Sequence, residues 1–439
     1  MMDYSRNWAL NQEKINSGKV TIIGCEALTN YIGFYMAGLG LRNIRVIDDN
    51  ISYDEKNEFL LRKSGYKVEV LEDKLLSIND DLNIEAVPLI LDEFLIGNPD
   101  VLLDLTNNPY SKEKSLEYFY KNEKIKLYIS ASTSTTKAKA IFKKERSKIS
   151  KLVKTDFLQE YSDKKQGSFT SGFLSAVILD EIRKIVSPLD GDFQYIGKLN
   201  YGLGLKNRFF EENQMFGINR NQKVLICGAG GIGTYVALNL ALENVVIDIY
   251  DGDKIESHNI ARQLFYHDSV GKYKVDVLQD QLKNITNAKI NVRGRYITEK
   301  NLRDLGRYDA IICCADNWEA RKILNSYAIY TNMRLINGSV TPFGANSEAY
   351  LPGKNRCLDC VYDLNKLIGL KPQSCAEIQE SNVIMNNALI GAFIAGEVLD
   401  IQNTVLDKRF EYKSKKGEKR KFGLIENKIR RDGKCKCAN

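Results

Sequence analysis

Short apolar runs ending at turn residues alternate with longer stretches of helical periodicity, and the whole alternation occurs twice along the chain. Residues 224–227 predict a buried strand, Gly228, Gly230, Gly231 and Gly233 a tight turn, and a helix is expected to begin near Ile232. A second strand over 245–250 stops at Asp251. Residues 309–314 and 336–340 read as further strands, and 341–344 as a loop. Near the N-terminus the same order recurs, more weakly: KVTIIGCEALTNYIGFYMAGLGLRNIRVIDD parallels KVLICGAGGIGTYVALNLALENVVIDIYD. DVLLDLTNNPYSKEKSLEYF likewise parallels DAIICCADNWEARKILNSY, and a helix over 169–186 mirrors one over 387–399. A repeat of this length predicts an α/β protein of two Rossmann-like halves, 1–200 and 201–439, each with its own mostly parallel sheet. A short hairpin is expected in the glycine-bearing junction 191–210, and a strand pair in the Lys/Arg-rich tail 408–434.

The second half carries the chemistry. Glycines between a strand and a helix let backbone N–H groups approach a phosphate, and the helix N-terminus favours its negative charge. Asp251, about 20 residues beyond the turn, is placed to hydrogen-bond a ribose hydroxyl. That much suits a dinucleotide. Asn259, Arg262 and Gln263 of HNIARQ and then Lys274 change the reading, because a guanidinium fork and a mobile ammonium beyond the ribose acid suit a triphosphate. Asp253 belongs to the same nucleotide set, and Asp316 at the end of another strand is placed to hold Mg²⁺ beside the phosphates. The set points to ATP. The first half has lost it: Gly24, Cys25, Glu26 and Ala27 keep one glycine and bring a carboxylate, and Asn107 stands where the other half has Asp316.

These residues, in this order and spacing, resemble the ubiquitin-activating-enzyme-like adenylyltransferases of the ThiF, MoeB and MccB type, over essentially all of the second half. The resemblance implies ThiF-type repeats in a pseudo-twofold arrangement, one half degenerate and one intact. It implies that Arg6, in the opening YSRNWALNQEKI, reaches the triphosphate bound by the other half; a solvated N-terminal arginine is the alternative. Arg208 occupies the analogous place before the second copy and is left outside the site. It implies a structural Zn²⁺ on Cys357 and Cys360 (C-x-x-C) with Cys435 and Cys437 near the chain end, although the second pair here is C-x-C. Cys375 stands where some relatives place a thioester or persulfide nucleophile; as a loop cysteine it is equally readable as a bystander. The chain is expected to carry no large inserted cysteine domain and no added sulfurtransferase or carrier domain. It is expected to act as a self-contained pseudodimer, with a further homodimer as the alternative.

Composition changes little. The chain has 439 residues and a net charge of +7, much of it in the tail, so nucleic acid is not implied. No apolar run reaches membrane-spanning length, no signal design opens the chain, and nine cysteines suit a reducing cytoplasm. The only histidines, His258 and His267, form no Ser-His-acid arrangement. Carboxylate adenylylation needs no general base, since its nucleophile is ionised at pH 7. The expected function is therefore ATP-dependent adenylylation of a C-terminal carboxylate on a peptide or small ubiquitin-like or sulfur-carrier protein, with peptide-antibiotic modification and sulfur-carrier activation both open. The alternatives are a non-catalytic substrate-presenting partner and a NAD-dependent oxidoreductase.

Overall fold

Two sheets organise the chain, one in each of two compact units that divide between Phe216 and Gly217. This computed structural model describes residues 2–53, 59–144, 146, 166–192, 197–202, 218–369, 383–400, 408–413, 424–428, 435 and 437. The first unit runs α1 (Gln12–Ser17), β1 (Lys19–Ile23), α2 (Ala27–Leu39), β2 (Asn43–Ile47), β3 (Ile51–Ser52), β4 (Gly65–Tyr66), α3 (Lys67–Ile78), β5 (Asn83–Val87), α4 (Glu93–Ile96), β6 (Val101–Asp104), α5 (Pro109–Lys121), β7 (Leu127–Thr133), β8 (Lys137–Lys143), α6 (Ser168–Val186) and β9 (Gly197–Gly202). Its seven-stranded sheet is ordered β5-β2-β1-β6-β7-β8-β9, parallel from β5 to β7 and antiparallel thereafter.

The second unit repeats the plan: β10 (Lys223–Cys227), α7 (Gly231–Leu242), β11 (Val246–Tyr250), α8 (Lys274–Ile285), β12 (Ile290–Arg293), β13 (Ala310–Cys313), α9 (Trp318–Thr331), β14 (Arg334–Thr341), β15 (Gly344–Tyr350), α10 (Leu358–Tyr362), α11 (Leu364–Gly369), α12 (Ile384–Leu399), β16 (Lys408–Lys413) and β17 (Leu424–Lys428). Its eight-stranded sheet is ordered β12-β11-β10-β13-β14-β15-β16-β17, again parallel as far as β14. The protein is α/β with two mostly parallel sheets.

Burial explains why the central strands read as continuous apolar runs. Every residue of β6, β7 and β13 is buried, as expected where helices cover both faces of a parallel sheet. Each fully buried Val, Leu or Ile contributes roughly 2 kcal/mol. Helices α7 and α12 are likewise buried along nearly their whole length, because each packs against the other as well as against the sheet. Gly391 permits that approach: a Cβ there would lie 2.6 Å from the Cβ of Tyr235. In the first unit α2 and α6 form the equivalent pair.

Of the junction expected to hold a short hairpin, the strand Gly197–Gly202 is described and pairs antiparallel with β8, while 193–196 and 203–210 lie outside the described residues. The loop expected over 341–344 shrinks to Pro342 and Phe343, because Thr341 and Gly344 already pair across the β14–β15 hairpin. The strand pair expected in the tail is present as β16 and β17.

Candidate active site

The site is built at the C-terminal ends of β10, β11 and β13, where the strand order of the second sheet changes direction. Beyond Cys227, Gly228 adopts φ +101° and accommodates the carbonyl of Cys314, which a Cβ would approach to 3.0 Å. Gly233, in the first turn of α7, lies over the Gly228 carbonyl, and a Cβ there would fall 1.8 Å from that oxygen. Gly231 faces the Asn387 side chain. Packing of the protein against itself thus accounts for three of the four glycines. Gly230 differs: it caps α7 with φ −80° and ψ −154°, a conformation open to any residue, and among the described residues a Cβ there meets nothing within 4 Å. An open cradle at the N-terminus of a three-turn helix fits a phosphate group.

Asp251 is buried behind this turn, with Oδ2 accepting from Ala229 N at 2.6 Å and Oδ1 from Asp253 N at 2.7 Å. Burial pushes its carboxyl up, opposed chiefly by the charge of Lys274. Lys274 opens α8; its backbone N donates to the Asp253 carbonyl at 3.0 Å and its Nζ to Asp253 Oδ2 at 2.8 Å. Tyr296, beyond β12, donates its hydroxyl to Asp253 Oδ1 and lies where a Cβ on Gly252 would be. For Asp253 burial raises the carboxyl, yet the hydrogen bonds from Lys274 and Tyr296 outweigh it and hold the group low.

The HNIARQ segment folds as a 3-10 turn, Ser257–Arg262, in which Asn259 Oδ1 accepts from Glu256 N at 3.1 Å. Arg262 is buried, with Nη1 donating to the His258 carbonyl at 2.5 Å. Gln263 Oε1 is buried with no hydrogen-bond partner among the described residues, an acceptor left for a donor from outside. Asp316 is exposed in the turn after β13, and the preceding Cys314 N donates to the Cys227 carbonyl at 2.9 Å, which ties that turn to the glycine turn. An exposed carboxylate beside a phosphate cradle is the donor chemistry Mg²⁺ takes. The second unit therefore brings together Gly228, Gly230, Asp251, Asp253, Lys274 and Asp316. Arg6 belongs to the first unit, buried in a 3-10 turn, Ser5–Asn7. Cys375 and Arg208 lie outside the described residues.

The first unit repeats three bonds of this scaffold. Cys25 N donates to Asp48 Oδ2 at 2.6 Å and Asn50 N to Asp48 Oδ1 at 2.7 Å; Lys67 N donates to the Asn50 carbonyl at 2.9 Å. Asp48 and Lys67 thus stand where the second unit has Asp251 and Lys274. Sequence reading missed Lys67, although YKVEVLEDKL and YKVDVLQDQL show it. The turn itself is closed. Gln166 Oε1 accepts from Leu28 N at 3.3 Å, the kind of helix-opening amide a phosphate would use, while Gln166 Nε2 donates to Glu26. The carboxylate read as repelling phosphate is held in place by an internal amide. Titration with a non-hydrolysable ATP analogue should therefore find one site per chain; two sites would show the first turn to be open.

The four cysteines converge. Cys360 Sγ lies 3.8 Å from Cys435 Sγ and 3.5 Å from Cys437 Sγ, and all four sulfurs of Cys357, Cys360, Cys435 and Cys437 lie within 4.8 Å of one another. A tetrahedral ion with Zn–S bonds of about 2.3 Å sets its sulfurs about 3.8 Å apart, so the cluster fits Zn²⁺ with no position left open for catalysis. The C-x-C spacing does not prevent convergence. Burial pushes the Cys357 thiol up to about 11, so an ion would have to displace its proton. We expect one zinc per chain by elemental analysis, lost in Cys360→Ser together with several degrees of thermal stability; retained metal would reject the cluster as its site. Among the described residues no helix is long and apolar enough to cross a membrane.

Comparison with known proteins agrees with the geometry. The ThiF family matches residues 4–187 and 205–436. Curated relatives include the NEDD8-activating enzyme E1 catalytic subunit of Caenorhabditis elegans, 28% identical over 33% of this chain and 37% of that protein. Adenylyltransferase and sulfurtransferase MOCS3 of Caenorhabditis briggsae is 29% identical over 49% of this chain and 54% of its own length. The chain thus spans between a third and a little over half of these relatives. Among solved structures, E. coli MccB with ATP is 24% identical at a TM-score of 0.43, covering 50% of this chain and 67% of that one. With two matched stretches accounting for nearly all of its length, the chain belongs to the ThiF family.

Proposed function

We propose that the second unit adenylylates the C-terminal carboxylate of a peptide or small carrier protein at the expense of ATP. The observation that carries this reading is the open cradle at Gly230, the one glycine of the turn that packing among the described residues does not require, set beside Asp251, Lys274 and Asp316. In the proposed reaction a substrate carboxylate oxygen attacks the α-phosphorus of ATP. A new C–O–P linkage forms, the bond to the β-phosphate bridge breaks, and its electron pair leaves with pyrophosphate. Asp251 would fix the ribose, the backbone at Gly230 and Gly231 would hold phosphate, and Arg262 and Lys274 would offset charge on the leaving group. Asn259 and Gln263 complete the nucleotide set. Asp316 would hold Mg²⁺, which supplies further charge neutralisation on the phosphates. Arg6 is assigned, from family resemblance, to the same triphosphate. Cys375 would take part only if the acyl group passes to a thiol before its final acceptor.

The similarity to MOCS3 and to the NEDD8-activating subunit supports a carrier-protein or ubiquitin-like substrate. The test is ATP–pyrophosphate exchange with candidate C-terminal peptides, with Asp316→Ala as control. Exchange that depends on the peptide and vanishes in the variant supports adenylylation. ATP binding without exchange points to an untested substrate; absence of ATP binding sinks the enzyme reading and favours a substrate-presenting role. Thermal protection by NADH instead of ATP would turn the assignment to an oxidoreductase.

A further inference from the structure

The turn that carries Asp316 and the four-cysteine cluster are joined by buried and part-buried hydrogen bonds. Helix α9 faces both. Arg321 and Asn325, four residues apart on it, share one side of the helix and are 7% and 1% exposed. Arg321 Nη2 donates to the Ala315 carbonyl, next to Asp316, at 2.7 Å and to the Gly338 carbonyl at 3.3 Å, while Nη1 donates to Asn337 Oδ1. Asn337 Nδ2 passes the connection to Glu348 Oε1 at 3.1 Å, and Glu348 Oε2 accepts from the Tyr362 hydroxyl at 2.7 Å. Tyr362 ends α10, the helix that contains Cys360. From the same helix α9, Asn325 Oδ1 accepts from Leu358 N at 2.9 Å, beside Cys357. The connection is therefore a closed ring: α9, Asn337, Glu348, Tyr362, α10 and back to α9.

The chemistry gives the ring a fixed sense. An asparagine between a guanidinium and a carboxylate must turn its oxygen to the first and its nitrogen to the second. Asn337 and Glu348 are each 6% exposed, so loss of one partner weakens a buried polar network.

The first unit supplies an internal control. Strand registers place Ser130 where the second unit has Asn337 and Ile141 where it has Glu348, and Lys112 follows Asp104 at the same spacing as Arg321 follows Cys313. Lys112 Nζ still reaches the Ala131 carbonyl, at 3.4 Å, as Arg321 reaches that of Gly338. The outward links are gone: Ile141 cannot accept a hydrogen bond, and Leu116 replaces Asn325. The cation-to-strand contact belongs to the shared fold. The carboxylate and the second amide occur in the unit that has the cysteine cluster.

We propose that Glu348 is a positioning residue for Asp316, and that through Tyr362, Asn337 and Arg321 the cation affinity of the Asp316 turn depends on the integrity of the four-cysteine cluster. The role given to Asp316 rests on the adenylylation reading; the coupling itself does not. Two-site coupling in proteins is commonly about 5–150-fold, and a shared network shows itself as non-additivity.

The test uses the full chain, zinc-loaded and after chelation with the chelator removed, and compares wild type with Tyr362→Phe and Glu348→Gln. One readout is the Mn²⁺ concentration for half-saturation in the presence of a non-hydrolysable ATP analogue. The other is amide hydrogen exchange over 314–318. Zinc removal from wild type should raise the Mn²⁺ requirement about tenfold and speed exchange in that segment. Tyr362→Phe with its zinc retained should do the same, and removing zinc from that variant should add little more. Nucleotide affinity without a divalent cation should not move. Fully additive effects, or unchanged Mn²⁺ half-saturation and exchange in zinc-loaded Tyr362→Phe and Glu348→Gln, would overturn the coupling. If wild type binds no nucleotide at all, the adenylylation reading fails by itself, and hydrogen exchange still decides the coupling.

Discussion

Gly230→Ala should leave the chain as stable as before and weaken nucleotide binding about 10- to 100-fold, whereas Gly233→Ala should cost the second unit its fold. The two glycines stand three residues apart in one motif, yet the structure gives them unrelated duties. At Gly230 the backbone is already in a conformation alanine adopts, and the added methyl meets no atom of the described residues within 4 Å. Stability should change by less than about 0.5 kcal/mol. The methyl would instead stand in the proposed phosphate cradle, where overpacking costs about 1–3 kcal/mol. At Gly233 the methyl would fall 1.8 Å from the Gly228 carbonyl oxygen, a backbone atom that can retreat only by opening the turn between β10 and α7. A loss above about 4 kcal/mol is expected. Thermal denaturation and analogue binding on both variants separate the cases. A stable Gly230→Ala that binds nucleotide normally would remove the main support for the phosphate site.

Lys274→Ala is expected to lower pyrophosphate exchange about 10²–10³-fold, the scale for losing one cation that stabilises developing charge. It should also move the acid limb of nucleotide binding. Burial already raises the Asp251 carboxyl, and Lys274 is the principal influence holding it down. Without that ammonium the carboxylate is lost at a higher pH, so binding in the variant should fail earlier as the solution is acidified. The stability effect has the opposite sign. A carboxyl raised on folding adds stability below its unfolded titration and withdraws it as pH rises through the folded one. Acidification should therefore weaken binding while this group favours the fold. A binding profile that does not shift between wild type and Lys274→Ala would show that Lys274 does not govern Asp251.

How far the sequence carried depends on how local each determinant is. The glycine turn, the strand before it and the acid after it are specified within a few dozen residues, and their structure matches the reading to within a residue or two. The identity of four glycines hides their different causes, because Gly233 answers to the Gly228 carbonyl and Gly230 to nothing among the described residues. Gln166 closes the first turn from a position 140 residues from Glu26, beyond any periodicity. Tyr296 meets Asp253 across two loops, and nothing in its immediate sequence marks it. Lys67 is legible in YKVEVLEDKL, a string the first copy keeps although it lacks the glycines.

The cysteine cluster also sets the topology of the chain. Cys360 and Cys435 are 75 residues apart, so an ion between them would close a macrocycle that contains α12, β16 and β17. Closing a ring of that size removes denatured-state freedom equivalent to about 4 kcal/mol, on the loop-entropy scale. A single backbone cut inside the ring would leave both pieces joined through the metal even in denaturant too weak to extract it. Fragment separation on adding a chelator would then report the clasp directly.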